Sequence, residues 1–473
     1  MQRIAQALFA LLLGAAPAVA QQVAADIPLP EHPRPDFQRD GWLNLNGEWD
    51  FRFDAPGGGE AAGWPANGLP APRKIVVPFG WGSGLSGVPD SADIAWYQRT
   101  LSVPAGWQGQ RIFLVVGASD WQTTAWIDGQ PLGSHVGGYT PFEFELTPHL
   151  RPGAQHRLVL RVDDAAREFK LEGKQGYGNV RGIWQTPYLE ARGATPIRTL
   201  HFSPDIDRDE VRVEATLLEP AREALTLRLE FADPSVPVAT QPVARGAERV
   251  TFSVPVPDAR LWSLEDPHLY EVTARLSGAG TAADEVRSYF GMREISVVDL
   301  PGSDIPYVAI NGEPVYLQLA LDQAYHPDGF YTFPSDAFTR DEVLRARQIG
   351  LNGLRVHIKV PLPRKLYWAD RLGMLVMADV PNSWGEPDEK MQAEAEYTLR
   401  EMIKRDYNHP SIFSFLERQA MNGCCHHSCC PDERFGTDRF IIIDKNRGAV
   451  IIPYLRLRPH FHTHIFQCFA GAV

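Results

Sequence analysis

Cysteine is missing from the first 423 of the 473 residues; all five stand at the far end, at 424, 425, 429, 430 and 468. A disulfide-stapled fold is therefore excluded for nearly the whole chain. Long apolar runs are scarce too. Ala5 to Ala16 is apolar but too short to cross a bilayer, and no later stretch of about 18 apolar residues exists, so no membrane partner is expected. Cations are in deficit, with 46 Lys and Arg against 58 Asp and Glu and a net charge of -12. Such a surface repels phosphate backbones, which argues against nucleic acid as a partner. Low-complexity linkers and internal repeats are also absent. What remains is an ordinary globular composition, 44% hydrophobic and 22% charged, long enough for two to four domains.

The N-terminus has the features of a signal peptide over residues 1–20. Arg3 supplies charge, an apolar run follows, and Ala18-Val19-Ala20 offers small residues for cleavage before Gln21. A secreted or periplasmic protein is the expectation.

From about 28 to 193 the texture is all-β. Arg111-Ile-Phe-Leu-Val-Val116, Thr124-Ala-Trp-Ile127 and His156-Arg-Leu-Val-Leu-Arg-Val162 are strand-like, with turns at Asp128-Gly129, Gly137-Gly138 and Pro152-Gly153. Strands at this spacing predict a jelly roll or sandwich. Residues 194–298 read as a second, immunoglobulin-like sandwich. Glu210 to Thr216 and Leu225 to Phe231 alternate apolar and polar residues, as half-buried strands do.

After Ser303 strands and helices alternate. Strands are predicted at 314–321, 353–358 and 374–379, with a fourth opening at Ser411. Helices are predicted from Ser335-Asp336 to Gly350, from Pro363 to Leu372 and from Lys390 to Asp406. Units of this length predict a parallel sheet, and over 303–416 an incomplete (β/α)8 barrel. Ser303 to Val473 falls well short of the ~250 residues of a complete one.

Several short strings follow one another in a fixed order along the chain. They are Leu45-Asn-Gly-Glu-Trp-Asp-Phe51, Val77-Pro-Phe79, Trp96-Tyr-Gln-Arg99 and Gly182-Ile-Trp-Gln185 in the first region. Leu261-Trp-Ser263, Pro267-His-Leu-Tyr270 and Phe290-Gly-Met-Arg293 follow in the second. Asn311-Gly312, Leu321-Asp-Gln323, Tyr367-Trp-Ala-Asp370 and Arg405-Asp-Tyr-Asn-His-Pro-Ser411 lie in the third. Taken in this order they resemble glycoside hydrolase family 2, the β-galactosidase and β-glucuronidase group. The resemblance implies an exported retaining exo-β-glycosidase: jelly roll, immunoglobulin-like sandwich and barrel, a carbohydrate substrate, no cofactor and no metal. Retention needs two carboxyls about 5–5.5 Å apart, one as proton donor and one as nucleophile.

The chain departs from that pattern where the chemistry should be. The fourth strand should end in an Asn-Glu pair, and counting from Asn408 puts Gln419 and Ala420 there, with Phe415 in place of an expected Trp. No segment matches the later strand that would bear the nucleophile. The expectation is a chain truncated before its catalytic glutamates and inactive; a non-catalytic carbohydrate-binding protein is the alternative. The tail from Glu417 holds every cysteine and five of the 14 histidines, including Cys424-Cys-His-His-Ser-Cys-Cys430. A shifted reading frame is the preferred explanation. A zinc site, against which the adjacent Cys-Cys and His-His pairs argue, and an unrelated extension are the alternatives.

Barrel sites form at the C-terminal ends of strands. That rule nominates Asp322, Arg355, His357 and Asp379 for substrate binding, with Gln323 beside them. Asn408 and His409 read as braces for the fourth strand. Trp42, Trp81, Trp96 and Trp121 read chiefly as core, with stacking on sugar rings as the second reading.

Overall fold

The structure, a computed structural model, describes residues 27–166, 171, 173, 180–381, 389–417, 439–444 and 448–453. The expected leader, Gln419, Ala420 and the Cys/His string lie outside the described residues.

The first layer pair is an antiparallel sandwich. Six strands pair in the order Arg73–Val77, Gly47–Phe53, Ile94–Ser102, Gln155–Asp163, Gln122–Ile127, Gln130–Val136. Four more, Trp42–Asn44, Gly182–Arg192, Arg111–Asp120 and Phe142–Glu145, form the facing sheet. Inward residues of both sheets meet in one core, with Trp49, Phe51, Trp81, Tyr97, Leu114 and Ile183 fully buried. Each such side chain contributes about 1.5–3 kcal/mol. Trp81 and Trp96 are thus core residues, while Trp121 is buried with its indole N–H donating to Glu394 at 3.0 Å.

A second sandwich packs Ile197–Asp205, Glu210–Leu217 and Arg249–Pro255 against Ala239–Val243, Leu225–Phe231, Tyr270–Ser277 and Asp284–Phe290. The alternation of Leu225, Leu227 and Leu229 with Thr226, Arg228 and Glu230 is what places the former inside and the latter in water. Arg39 ties the two sandwiches together. Its guanidinium donates to Asp284 at 3.0 and 2.8 Å, to Glu190 at 2.8 Å and to the Ile197 carbonyl at 2.7 Å.

A three-stranded antiparallel sheet over 295–314 leads to the βα region. Its elements are β1 (Leu319–Asp322), α1 (Asp336–Gln348), β2 (Gly353–Val356), α2 (Pro363–Leu372), β3 (Leu375–Asp379), α3 (Glu389–Asp406) and β4 (Ile412–Glu417). β1 to β4 run parallel in that order. The single strand predicted over 314–321 is in fact two pieces, Glu313–Pro314 and Leu319–Asp322. In the tail, where no element was predicted, β5 (Arg439–Asp444) and β6 (Gly448–Pro453) add antiparallel to β4. The β-branched runs Ile441-Ile-Ile443 and Val450-Ile-Ile452 account for them.

The helices start and stop where local chemistry dictates. Ser335 caps α1 by accepting from the Phe338 amide at 3.1 Å. Pro363 opens α2, and Gly373 ends it at φ 65 in the left-handed region. A Cβ on Gly373 would sit 2.2 Å from the Leu264 carbonyl oxygen. Gly373→Ala is therefore expected to destabilise the protein by more than about 1 kcal/mol, read as a lowered denaturant midpoint. An unchanged midpoint would show that the α2–β3 turn is less constrained than this geometry requires.

Candidate active site

In a parallel sheet, residues in register share a face. Leu321, Arg355 and Met377 are in register, and so are Asp322, Val356 and Ala378. Val356 and Ala378 pack against the helices with Leu366 and Ala369. Arg355 thus lies on the opposite face, and Asp379, two residues beyond Met377, shares it.

There the two side chains meet. Arg355 donates to Asp379 from Nε at 3.0 and 3.1 Å and from Nη2 at 2.9 Å, and the Ile358 amide adds a bond at 3.1 Å. Asp379 is 2% exposed, and Arg355 is 20% exposed. A bidentate pair of this kind fixes both groups. The Nη1 of Arg355 has no hydrogen-bond partner among the described residues, which leaves a donor for a ligand at the strand ends.

The other two candidates are placed differently. His357 faces Gln323, with Nδ1 3.3 Å from its amide oxygen. Asp322 accepts from the Ala324 amide at 2.7 Å and is ion-paired with Lys365 of α2. Burial alone would raise the Asp322 carboxyl, but Lys365 overrides it and holds the group below the usual carboxylate range. Lys365, which also reaches Glu342 at 3.1 Å, is pushed down by burial and raised on balance by those two carboxylates. The Asp322 carboxylate is therefore engaged from the helix side rather than grouped with Arg355 and Asp379.

Lys359 and Lys365 were missed by the sequence reading. Lys359 is fully buried, donates to the carbonyls of Ala324 and Tyr331 at 2.9 and 3.0 Å, and lies 4.7 and 5.1 Å from the ring centres of Tyr331 and Trp184. Trp184 belongs to the first sandwich, so this cation links that sandwich to the strand-end loops. The available signal was a lysine inside the apolar run Ile358-Lys-Val360, just past a strand end.

Asn408 and His409 brace β4. Asn408 accepts from the Phe202 amide and donates to the Leu200 carbonyl, at 2.9 and 2.7 Å. His409 binds Asp370 through Nδ1 at 2.5 Å. Among the described residues no group of three His, Cys, Asp or Glu could hold a metal, and no helix is long and apolar enough to cross a membrane.

Two sandwiches followed by a βα sheet define a modular, sandwich-rich multidomain architecture. Residues 43–186 match the model of the sugar binding domain of Glycosyl hydrolases family 2, and residues 195–293 match the model Glycosyl hydrolases family 2. The chain belongs to glycoside hydrolase family 2. It is similar to a beta-galactosidase of Thermoanaerobacter pseudethanolicus, 25% identical over 331 residues, covering 68% of this chain and 44% of that protein. It is also similar to a beta-glucuronidase of Paenibacillus borealis, 23% identical over 417 residues, covering 78% and 66%. The chain thus spans less than two thirds of the length of these relatives. The crystal structure of Ruminococcus gnavus beta-glucuronidase shares the fold, with a TM-score of 0.68 at 20% identity over 80% of this chain and 67% of that one.

Proposed function

We propose that this chain is built on a β-glycosidase scaffold and recognises a carbohydrate at the C-terminal ends of β1 to β3. The observation that carries the reading is the Arg355–Asp379 pair, held rigid at the end of a parallel sheet where βα enzymes bind their substrates. The relatives named as a beta-galactosidase and a beta-glucuronidase support hydrolysis of O-glycosidic bonds as the reaction class of the scaffold. On this reading residues 303–416 are part of a (β/α)8 barrel, and Arg3 with the following apolar run supports export.

The position at which the resemblance puts the proton donor is Ala420. A methyl group transfers no proton, and general acid catalysis is worth typically 10²–10⁴-fold. No segment of this sequence matches the strand that would bear the nucleophile, so the covalent route is missing as well, and the reading is of a chain that binds sugar without measurable turnover. Purified protein is expected to release nitrophenol from activated β-galactosides and β-glucuronides at the background rate. The same glycosides are expected to bind, with binding lost in Arg355→Ala, as read by ligand-observed NMR. Turnover well above background that vanishes in Arg355→Ala would overturn the non-catalytic reading. Binding that survives Arg355→Ala would move the sugar away from the strand ends.

A further inference from the structure

The loop after β2 turns at Ile358, whose φ of 44 lies in the left-handed region. A branched side chain is strained there, so surrounding contacts must hold it in place. Two more such residues, Ala324 at φ 46 and Phe330 at φ 56, lie in the loop after β1. Backbone strain of this kind gathers where ligands are held. Here it gathers around one side chain. Lys359 follows Ile358 directly, and its ammonium donates to the carbonyls of Ala324 and of Tyr331, the residue after Phe330.

The first sandwich bears on the same loop. The Leu85 amide donates to the Asp328 carbonyl at 2.8 Å, and the Thr332 hydroxyl donates to the Trp184 carbonyl at 2.6 Å. The rings of Trp184, Tyr331 and Phe333 surround the ammonium, with centres 5.1, 4.7 and 5.9 Å away. On the other side of Lys359, the Ile358 amide donates to Asp379 at 3.1 Å, and Asp379 holds Arg355. Packing alone would be met by leucine or methionine, since burying an ammonium is far costlier than burying a methylene. What lysine adds is a set of donors that ties two carbonyls of one loop to the backbone of another.

We propose that Lys359 is a positioning residue of the strand-end site: it seats the loop after β1 against the loop after β2 and thereby keeps the Ile358 amide on Asp379. The first sandwich takes part in the site through this lysine. The proposal rests on the reading of the strand ends as the sugar site, and its test separates the two.

Hydrogen exchange of the full chain, read by mass spectrometry over residues 353–360, reports on the loop without any ligand. In Lys359→Met the Ile358 amide is expected to exchange at least about tenfold faster, the worth of one hydrogen bond to a charged group, while the amides of β2 keep their protection. Affinity for nitrophenyl β-galactoside and β-glucuronide, by ligand-observed NMR, is expected to fall by a similar factor. Lys359→Arg, which keeps the charge and the donors, should restore most of both. Gly373→Ala, at the opposite end of β3, lowers stability but should leave the affinity and the exchange of Ile358 relative to β2 unchanged. Thr332→Val loosens the loop from the sandwich with the lysine in place. It should speed Ile358 exchange by a smaller factor, and it decides the matter if Lys359→Met does not fold. Native exchange at Ile358 in Lys359→Met, or in Thr332→Val where only that variant folds, would overturn the proposal. So would an equal loss of affinity in Gly373→Ala. If the native protein binds neither glycoside, the sugar reading falls, and the exchange result still decides whether Lys359 holds the loop on Asp379.

Discussion

Asp370→Asn is expected to destabilise the protein by about 3–5 kcal/mol at pH 6, the usual result of removing one partner from a buried ion pair. Asp370 and His409 are both fully buried. The carboxylate accepts from His409 Nδ1 at 2.5 Å, from the Tyr289 hydroxyl at 2.8 Å and from the Ser411 amide at 3.0 Å. One side chain thereby joins α2, the second sandwich and the start of β4. Burial alone would lower the imidazole of His409. Asp370 outweighs it, with Asp36 and Asp406 further out, and the pKa is raised above the ordinary 6.5.

The pH dependence follows from that sign. A group whose pKa is raised by folding binds its proton more tightly in the native state. Its contribution is complete below the unfolded value of about 6.5 and is lost as pH climbs through the higher native value. The stability difference between the native protein and Asp370→Asn should therefore be greatest near pH 6 and shrink on the alkaline side. Urea titrations of both proteins from pH 6 to pH 9 measure it. A difference that stays constant from pH 6 to pH 9 would show that His409 carries no charge in the folded protein.

The second large effect is expected at the joint between the sandwiches. Arg39→Ala leaves Glu190 and Asp284, 2% and 1% exposed, without a shared cation. Arg192 still reaches Glu190 at 2.7 Å, and the amides of Gly193 and Ile197 still donate to Asp284. Those contacts soften the loss, which should nonetheless be about 3–5 kcal/mol. Arg39→Met combined with Asp284→Asn, which removes charge from both sides and keeps an acceptor for the buried amides, should recover part of it. Equilibrium denaturation of the two variants decides the matter. A single variant within about 1 kcal/mol of the native protein would show that the joint does not depend on this guanidinium.

Much of the architecture was legible in the chain because it rests on local rules. Alternation at Leu225 to Phe231 marks a half-buried strand wherever it occurs. Pro363 and Gly373 bound α2 because one fixes φ and the other tolerates the left-handed region. Helix α3 was expected from Lys390 and begins at Glu389. The strand predicted over 314–321 was too long, because an apolar run does not say where ladder pairing is interrupted.

The site was less legible, for a physical reason. Position at a strand end named Asp322, Arg355, His357 and Asp379, but the facing of each group depends on a register that shifts by whole residues. That register puts Arg355 against Asp379 and turns Asp322 toward Lys365. Lys359 lies against the ring of Tyr331 and that of Trp184, a residue of the first sandwich far away in the chain. The sequence by itself determined most strands of the two sandwiches, the three helices with their bounds and the family, since each follows from neighbouring residues or from the order of short motifs along the chain. Only the tertiary structure decided which cations find carboxylates and which are left with donors to spare, because ion pairing is set by distance in space and by burial.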